Sequence, residues 1–189
     1  MKTTGRLLIL SGPSGAGKDT VGELVIARSD FSRLPTYTTR EARVGEIDGI
    51  HYHFVTVELF RSLVDAGTIF DPVGVHDLYG IPLDKLIAAL EQGQDVLMHL
   101  AAASAFKVKR IVSDVIIVQI KSPSKGDTQA RLMRRGMSQA SIARRRENEP
   151  DHSLKDCAYD LVLVNKNDNS DQAATEILTY LAQLKTCAP

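Results

Sequence analysis

The chain has few cysteines, no excess of either charge, no long apolar run and no internal repeat, and each shortage excludes a class of protein. Its two cysteines, Cys157 and Cys187, have no Cys or His nearby at metal-ligand spacing. A disulfide framework and a cysteine zinc site are therefore set aside in favour of free thiols in a reducing compartment. Lys plus Arg equals Asp plus Glu at 23 each. The surface as a whole carries no net field to draw nucleic acid or an anionic membrane, so any anion site has to be local. Met1 to Arg6 leads at once into the apolar run Leu7 to Leu10, too short for the core of a signal sequence or for a membrane span. A soluble, cytoplasmic protein is the expectation, acting as a monomer or homodimer.

The 189 residues suffice for one sizeable core but not for two, and 43% hydrophobic with 24% charged residues is the balance of an ordinary globular domain. Strand and helix patterns alternate. Leu7 to Leu10 suits a buried parallel strand entering a turn at Ser11-Gly12-Pro13, with a helix following over about 18–28. From Leu34 to Tyr79, Thr36, Tyr37, Thr38, His51, Tyr52, Phe54 and Val55 favour short strands, and Leu59, Phe60, Leu63 and Val64 make one helical stripe. Leu83, Leu86, Ile87 and Leu90 return the chain to the core as an amphipathic helix. Strands at Val96–Leu100, Val115–Ile120 and Leu161–Val164, a helical stretch around 101–111 and a closing helix with Ala174, Ile177, Leu178, Leu181 and Leu184 on one face complete the pattern. The sum is an α/β three-layer fold with a parallel central sheet. Its core spans 1–33 and 82–189, with a small β-rich insertion at 34–81 and a basic helical lid at about 124–149.

Gly12-Pro13-Ser14-Gly15-Ala16-Gly17-Lys18-Asp19-Thr20 has the Walker A spacing and lies between a predicted strand and a predicted helix. Glycine lets backbone N–H groups approach phosphate oxygens, and the helix N-terminus faces the anion with open donors and partial positive charge. Lys18 then reaches the β and γ phosphates of ATP. The pattern asks for Ser or Thr directly after the lysine to meet Mg²⁺, whereas Asp19 stands there and Thr20 follows. A carboxylate about 4 Å from a phosphate oxygen is opposed by roughly 4 kcal/mol at an effective dielectric of 20, so a divalent ion between them is the expected arrangement. Asp19 and Thr20 are the candidate metal residues. The alternative for Asp19 is a solvated first-turn carboxylate favoured by the helix dipole.

Beyond this loop, Thr36-Tyr37-Thr38-Thr39-Arg40-Glu41-Ala42-Arg43-Val44-Gly45-Glu46-Ile47-Asp48-Gly49-Ile50-His51-Tyr52-His53-Phe54 resembles the acceptor-binding segment of guanylate kinases. The resemblance continues through Leu78-Tyr79-Gly80, Arg131 to Gly136, Arg144-Arg145 and Leu161 to Asn165, so it covers nearly the whole chain in order. It implies a P-loop phosphotransferase that moves the γ-phosphoryl of ATP to the phosphate of a nucleoside monophosphate. It further implies that Arg40 and Arg43, with the hydroxyls of Tyr52 and Tyr79, hold the acceptor phosphate within a segment that includes Thr36 and Glu46. Arg131, Arg135 and Arg145 would gather round the transferred group, and Asn165 would lie near the adenine.

The base-reading positions depart from the family. Thr36 is kept, but the acidic residue expected near Phe70 is represented by Asp71, with one residue missing before Tyr79. Ile81 replaces a hydroxyl residue, and His99 and Ala101 replace a pair of aspartates. His99 is a new acceptor contact, a proton carrier near neutral pH, or a strand-end histidine satisfied by backbone. Gly17-Lys18-Asp19-Thr20 also looks like the loop of ribose 1,5-bisphosphate phosphokinases, which leaves a sugar-phosphate acceptor as the alternative. A non-catalytic guanylate-kinase-like binding module is the third reading, disfavoured because such modules tend to lose the phosphate loop.

Overall fold

The computed structural model describes residues 4–134, 138, 139, 142, 158–166 and 169–186. In chain order its elements are β1 (Leu7–Ser11), α1 (Lys18–Ala27), β2 (Ser32–Arg33), β3 (Thr36–Thr38), β4 (Tyr52–Phe54), α2 (Val57–Asp65), β5 (Ile69–Val73) and β6 (Tyr79–Pro82). There follow α3 (Leu83–Glu91), β7 (Val96–His99), α4 (Ala102–Lys109), β8 (Val115–Lys121), α5 (Lys125–Arg134), β9 (Leu161–Val164) and α6 (Ser170–Thr186). Much of the basic lid expected over 124–149, including Arg135, Gly136, Arg144, Arg145 and Arg146, lies outside the described residues, as do both cysteines.

Every residue of β1 is buried, which requires cover on both faces of the sheet. Side chains alternate across a strand, and the two cores follow that alternation. Leu7, Ile9, Val96, Met98, Val115 and Ile117 pack with Leu86 and Leu90 of α3 and with Ala102, Ala105 and Val108 of α4. Leu8, Leu10, Leu97, Val118 and Ile120 pack with Val21 and Val25 of α1 and Ala173, Ala174, Ile177 and Leu181 of α6. The result is a three-layer α/β/α body round a five-stranded sheet in the order β2-β7-β1-β8-β9, parallel throughout. Among the described residues no helix is long and apolar enough to cross a membrane.

One strand has no counterpart in the sequence pattern. Ser32 N–H donates to Asp95 O at 2.9 Å and Leu34 N–H to Leu97 O at 3.1 Å, so β2 is added beside β7 by backbone pairing alone. A serine and an arginine give no apolar signal for it.

The insertion is a second sheet, in the order β4-β3-β6-β5. Tyr37 and Ile69 pack under Phe60 of α2, with Leu63, Val64 and Leu78 beside them. Thr36 pairs with Tyr52, and Thr38 with both Phe54 and Tyr79, so these five residues share the opposite face. Further along that face Phe70 pairs with Ile81, and both join the core formed on α3 and α4. The small sheet is thereby anchored at one end to the main body, while its polar and aromatic end faces the cleft.

Gly80 makes the packing under α2 possible. A Cβ there would lie 2.1 Å from Ile69 Cγ2 and 3.2 Å from Phe60 Cζ. Gly80→Ala is expected to lower stability by about 1–3 kcal/mol, the usual effect of overpacking, measured as a fall in denaturant midpoint with unchanged slope.

Candidate active site

β1 ends at Ser11 and the chain turns sharply into α1. Gly12 has φ 134, and a Cβ there would fall 2.0 Å from the Ile120 carbonyl of β8. Gly17 has φ 94, and a Cβ there would meet Asn165 Nδ2 at 2.3 Å. Both positions demand glycine. Gly17 is also the residue before α1, which has no side-chain cap, so the first-turn N–H groups present donors and partial positive charge to the space above the loop. Lys18 Nζ donates to the carbonyls of Gly12 at 2.7 Å and Pro13 at 2.9 Å, which arches its side chain over the loop. Ser14 and Gly15 lie partly buried in the turn, and Thr20 is exposed in the first turn of α1. A glycine-lined backbone cradle, an uncapped helix and an arched lysine fit a polyphosphate.

The loop is braced from behind. Asn165, 1% exposed at the end of β9, donates Nδ2 to Ala16 O at 2.9 Å. Arg131 of α5 is buried and donates to Ala16 O at 3.3 Å and Asn165 O at 2.8 Å. α5 also lies against Gly15, where a Cβ would touch Thr128 and Leu132. The sequence resemblance put Asn165 by the adenine and Arg131 by the transferred phosphoryl group. The geometry ties both to the phosphate loop at Ala16, where each is buried with a polar partner. Arg135 and Arg145 lie outside the described residues.

The acceptor side is built at the end of β3. Thr38 Oγ1 accepts from Arg40 N–H at 3.2 Å, and Thr39 Oγ1 accepts from Leu78 N–H at 2.9 Å. These local bonds fix where Arg40 leaves the sheet. Its guanidinium meets Glu46 in a two-bond fork, with both N–O distances 2.9 Å, and lies 5.4 Å from the Tyr52 ring centroid and 5.6 Å from that of Phe54. Glu46 also accepts from Arg43 N–H at 2.7 Å, so one carboxylate organises both arginines of the segment. The Arg43 side chain itself is exposed. Tyr52 and Tyr79 stand edge to face with centroids 6.1 Å apart. Burial and the Asp19 carboxylate push the Tyr52 phenol up to about 12, so it remains an O–H donor at physiological pH.

Two expected acceptor contacts have other partners. His99 Nδ1 lies 3.0 Å from Asp19 Oδ1, which turns the ring toward the donor side. Asp71, whose side chain is 5% exposed and which sits at φ 51 in the β5 irregularity, forms an ion pair with Lys107 of α4. Thr36 is buried on the cleft-facing side of β3. Arg33 and Lys107 were missed by the sequence reading, since nothing in the local pattern distinguishes either from a solvated surface charge.

Asp19 stays ionised. The hydrogen bond from His99 lowers its pKa, burial opposes this, and the charges of Lys18 and Arg33 add to the lowering. Among the described residues no group of three or more His, Cys, Asp or Glu side chains is placed to hold a metal. One carboxylate and the neighbouring Thr20 hydroxyl nevertheless fit Mg²⁺, which takes few protein ligands and completes its shell with phosphate and water.

The comparisons with known proteins agree with this arrangement. The guanylate kinase family model matches residues 4–184. The chain belongs to the guanylate kinase family. It is 36% identical to the guanylate kinase of Pseudoalteromonas translucida over 95% of this chain and 88% of that one, and 35% identical to that of Syntrophotalea carbinolica over 88% and 81%. The crystal structure of guanylate kinase from Anaplasma phagocytophilum superposes with a TM-score of 0.71 at 27% identity, over 96% of this chain and 87% of that one. Membership of the guanylate kinase family makes the protein a nucleoside monophosphate kinase that uses ATP.

Two outcomes test the geometry of the site. Asn165→Ala removes the brace on Ala16 and is expected to weaken ATP binding roughly tenfold, about 1–1.5 kcal/mol, read by calorimetry. Glu46 is opposed by burial, but its bonds from Arg40 and the Arg43 backbone, with both charges, lower its pKa from the ordinary 4.5. A depressed carboxylate stabilises the fold above its unfolded pKa, and that contribution disappears as pH falls through the folded value. Glu46→Gln is thus expected to cost about 1–3 kcal/mol at neutral pH, with the gap from the parent protein closing in acid below about pH 4.5.

Proposed function

We propose that the protein transfers the γ-phosphoryl group of ATP to the phosphate of GMP, with Mg²⁺, in the cytoplasm, as a monomer or homodimer. The observation that carries this reading is the placement of Arg40, Tyr52 and Tyr79 on one face of the small sheet, with Tyr52 in electrostatic reach of Asp19 at the mouth of the phosphate loop. Two anion-binding groups of different design thus share one cleft, as a reaction between two phosphorylated molecules requires.

On this reading the backbone of residues 12–17 and Lys18 hold the ATP phosphates. Mg²⁺, met by Asp19 and Thr20, would supply charge neutralisation on the donor. Arg40 offers the acceptor phosphate its planar, permanently charged guanidinium. Glu46 keeps that guanidinium in place against the Tyr52 and Phe54 rings, and the Tyr52 and Tyr79 phenols donate to the same phosphate. Arg43 adds charge at the rim. No side-chain nucleophile is needed, because an acceptor phosphate oxygen is already ionised and attacks the γ-phosphorus in line. Thr36 and Asp71 are the groups available to the guanine base, and the ion pair with Lys107 fixes the Asp71 carboxylate in place. Arg131 and Asn165 keep the loop rigid beneath the donor, which limits reorganisation as charge moves. By the family resemblance Arg135 and Arg145, which lie outside the described residues, would serve the transferred group.

A coupled ADP-release assay tests the reading. GMP is expected to support turnover above AMP, CMP, UMP and ribose phosphates, and Arg40→Ala is expected to lower kcat/KM for GMP roughly 10- to 100-fold, the ~1.5–3 kcal/mol carried by hydrogen bonds to a charged group. Turnover with a ribose phosphate in preference to GMP, or with no acceptor at all, would overturn it.

A further inference from the structure

His99 ends β7, and its ring crosses to α1. Nδ1 lies 3.0 Å from Asp19 Oδ1. An ionised carboxylate can only accept, so Nδ1 carries a proton, and in the neutral ring the other nitrogen is a lone-pair acceptor. That nitrogen, Nε2, is buried with no hydrogen-bond partner, and it lies over Gly22, where an added Cβ would sit 2.6 Å away. With 11% of its side chain exposed, His99 has one nitrogen committed to Asp19 and the other sealed against the helix. No nitrogen remains to read an acceptor.

Protonation is disfavoured by the same packing, because it would place a second N–H against the helix without an acceptor. With Nε2 sealed against Gly22, the ring presents Nδ1–H to Asp19 as a directional donor.

We propose that His99 is a positioning residue of the donor site: it holds the Asp19 carboxylate at the mouth of the phosphate loop so that the divalent cation accompanying the nucleotide meets an oxygen already fixed in place. Asp19 keeps more than half of its side chain exposed, so the carboxylate is tethered through Oδ1 and open elsewhere. Carboxylates that meet a metal ion are commonly held by a hydrogen bond from a neighbouring side chain, and the missing Cβ of Gly22 leaves room for the His99 ring beside α1. This inference rests on the reading that Asp19 serves a nucleotide-bound Mg²⁺.

The test compares the affinity of ADP with and without Mg²⁺ by calorimetry, no acceptor being present. Asp19→Asn is expected to lose about tenfold of the Mg²⁺-dependent gain in affinity, the scale of a hydrogen-bonded charge, while metal-free ADP binding tightens because a carboxylate that repels the phosphates is gone. His99→Ala and Gly22→Ala are expected to show the same selective loss. His99→Asn, whose Nδ2 takes the place of Nδ1, restores the gain, whereas His99→Gln, whose amide nitrogen takes the place of Nε2, does not. In the parent protein the long-range ¹H–¹⁵N spectrum of the ring shows the Nδ1–H tautomer.

Loss with Asp19→Asn but none with His99→Ala and Gly22→Ala would overturn the role of His99 while leaving the metal reading intact. No loss with Asp19→Asn would overturn both. A rise in acceptor KM with His99→Ala, at unchanged Mg·ADP affinity, would make His99 an acceptor reader and sink the proposal, as would an Nε2–H tautomer. Should His99→Ala fail to fold, Gly22→Ala and the spectrum of the unaltered protein decide the matter.

Discussion

Two phosphate groups must be brought to bonding distance although each repels the other, and the architecture of this protein answers that one electrostatic problem. Unit charges 4 Å apart interact by roughly 4 kcal/mol at an effective dielectric of 20, and each phosphate presents more than one. The chain has no net charge to spend on the task. It solves the problem locally, with fixed dipoles and few cations. The donor side uses backbone N–H groups and one lysine. The acceptor side uses a guanidinium clamped by Glu46 and sandwiched near two aromatic rings. Because Glu46 fixes Arg40 in the protein itself, little ordering remains to oppose binding.

The folding pattern places these groups by simple alternation. In the main sheet the parallel strands end on one side, and the loop after β1 opens there, at the crevice where ligands of such sheets bind. In the small sheet the two-residue period sends Tyr37 and Ile69 under α2 and sends Thr36, Thr38, Tyr52, Phe54 and Tyr79 the other way. A shift of one residue in that register would bury the Tyr52 and Tyr79 phenols and expose the apolar set. Phe70 and Ile81 join the main core, which ties the orientation of the acceptor face to the body that carries the phosphate loop.

The parts legible in the sequence are those whose signal is local. Leu7 to Leu10 announced a buried strand, the spacing from Gly12 to Lys18 announced the phosphate loop, and the segment from Thr36 to Phe54 carried the family. β2 was not legible, because Ser32 and Arg33 pair through backbone only. The contact of His99 with Asp19 joins residues 80 positions apart, and that of Lys107 with Asp71 joins residues 36 apart; no periodicity records either. Asn165 and Arg131 show the same limit. Their identities mark them as polar groups of a nucleotide site, but only the packing of α5 and β9 behind Ala16 and Gly17 places them beneath the loop.

The central claim is that one cleft holds two phosphorylated ligands at once, and it is tested most directly by a crystal structure with adenosine and guanosine joined through five phosphates. The account predicts the adenosine-side phosphates against the backbone of residues 12–18 and the last phosphate before guanosine on Arg40, Tyr52 and Tyr79. A ligand that reaches the loop while its guanosine end lies away from Arg40, with no phosphate on the small sheet, would contradict it.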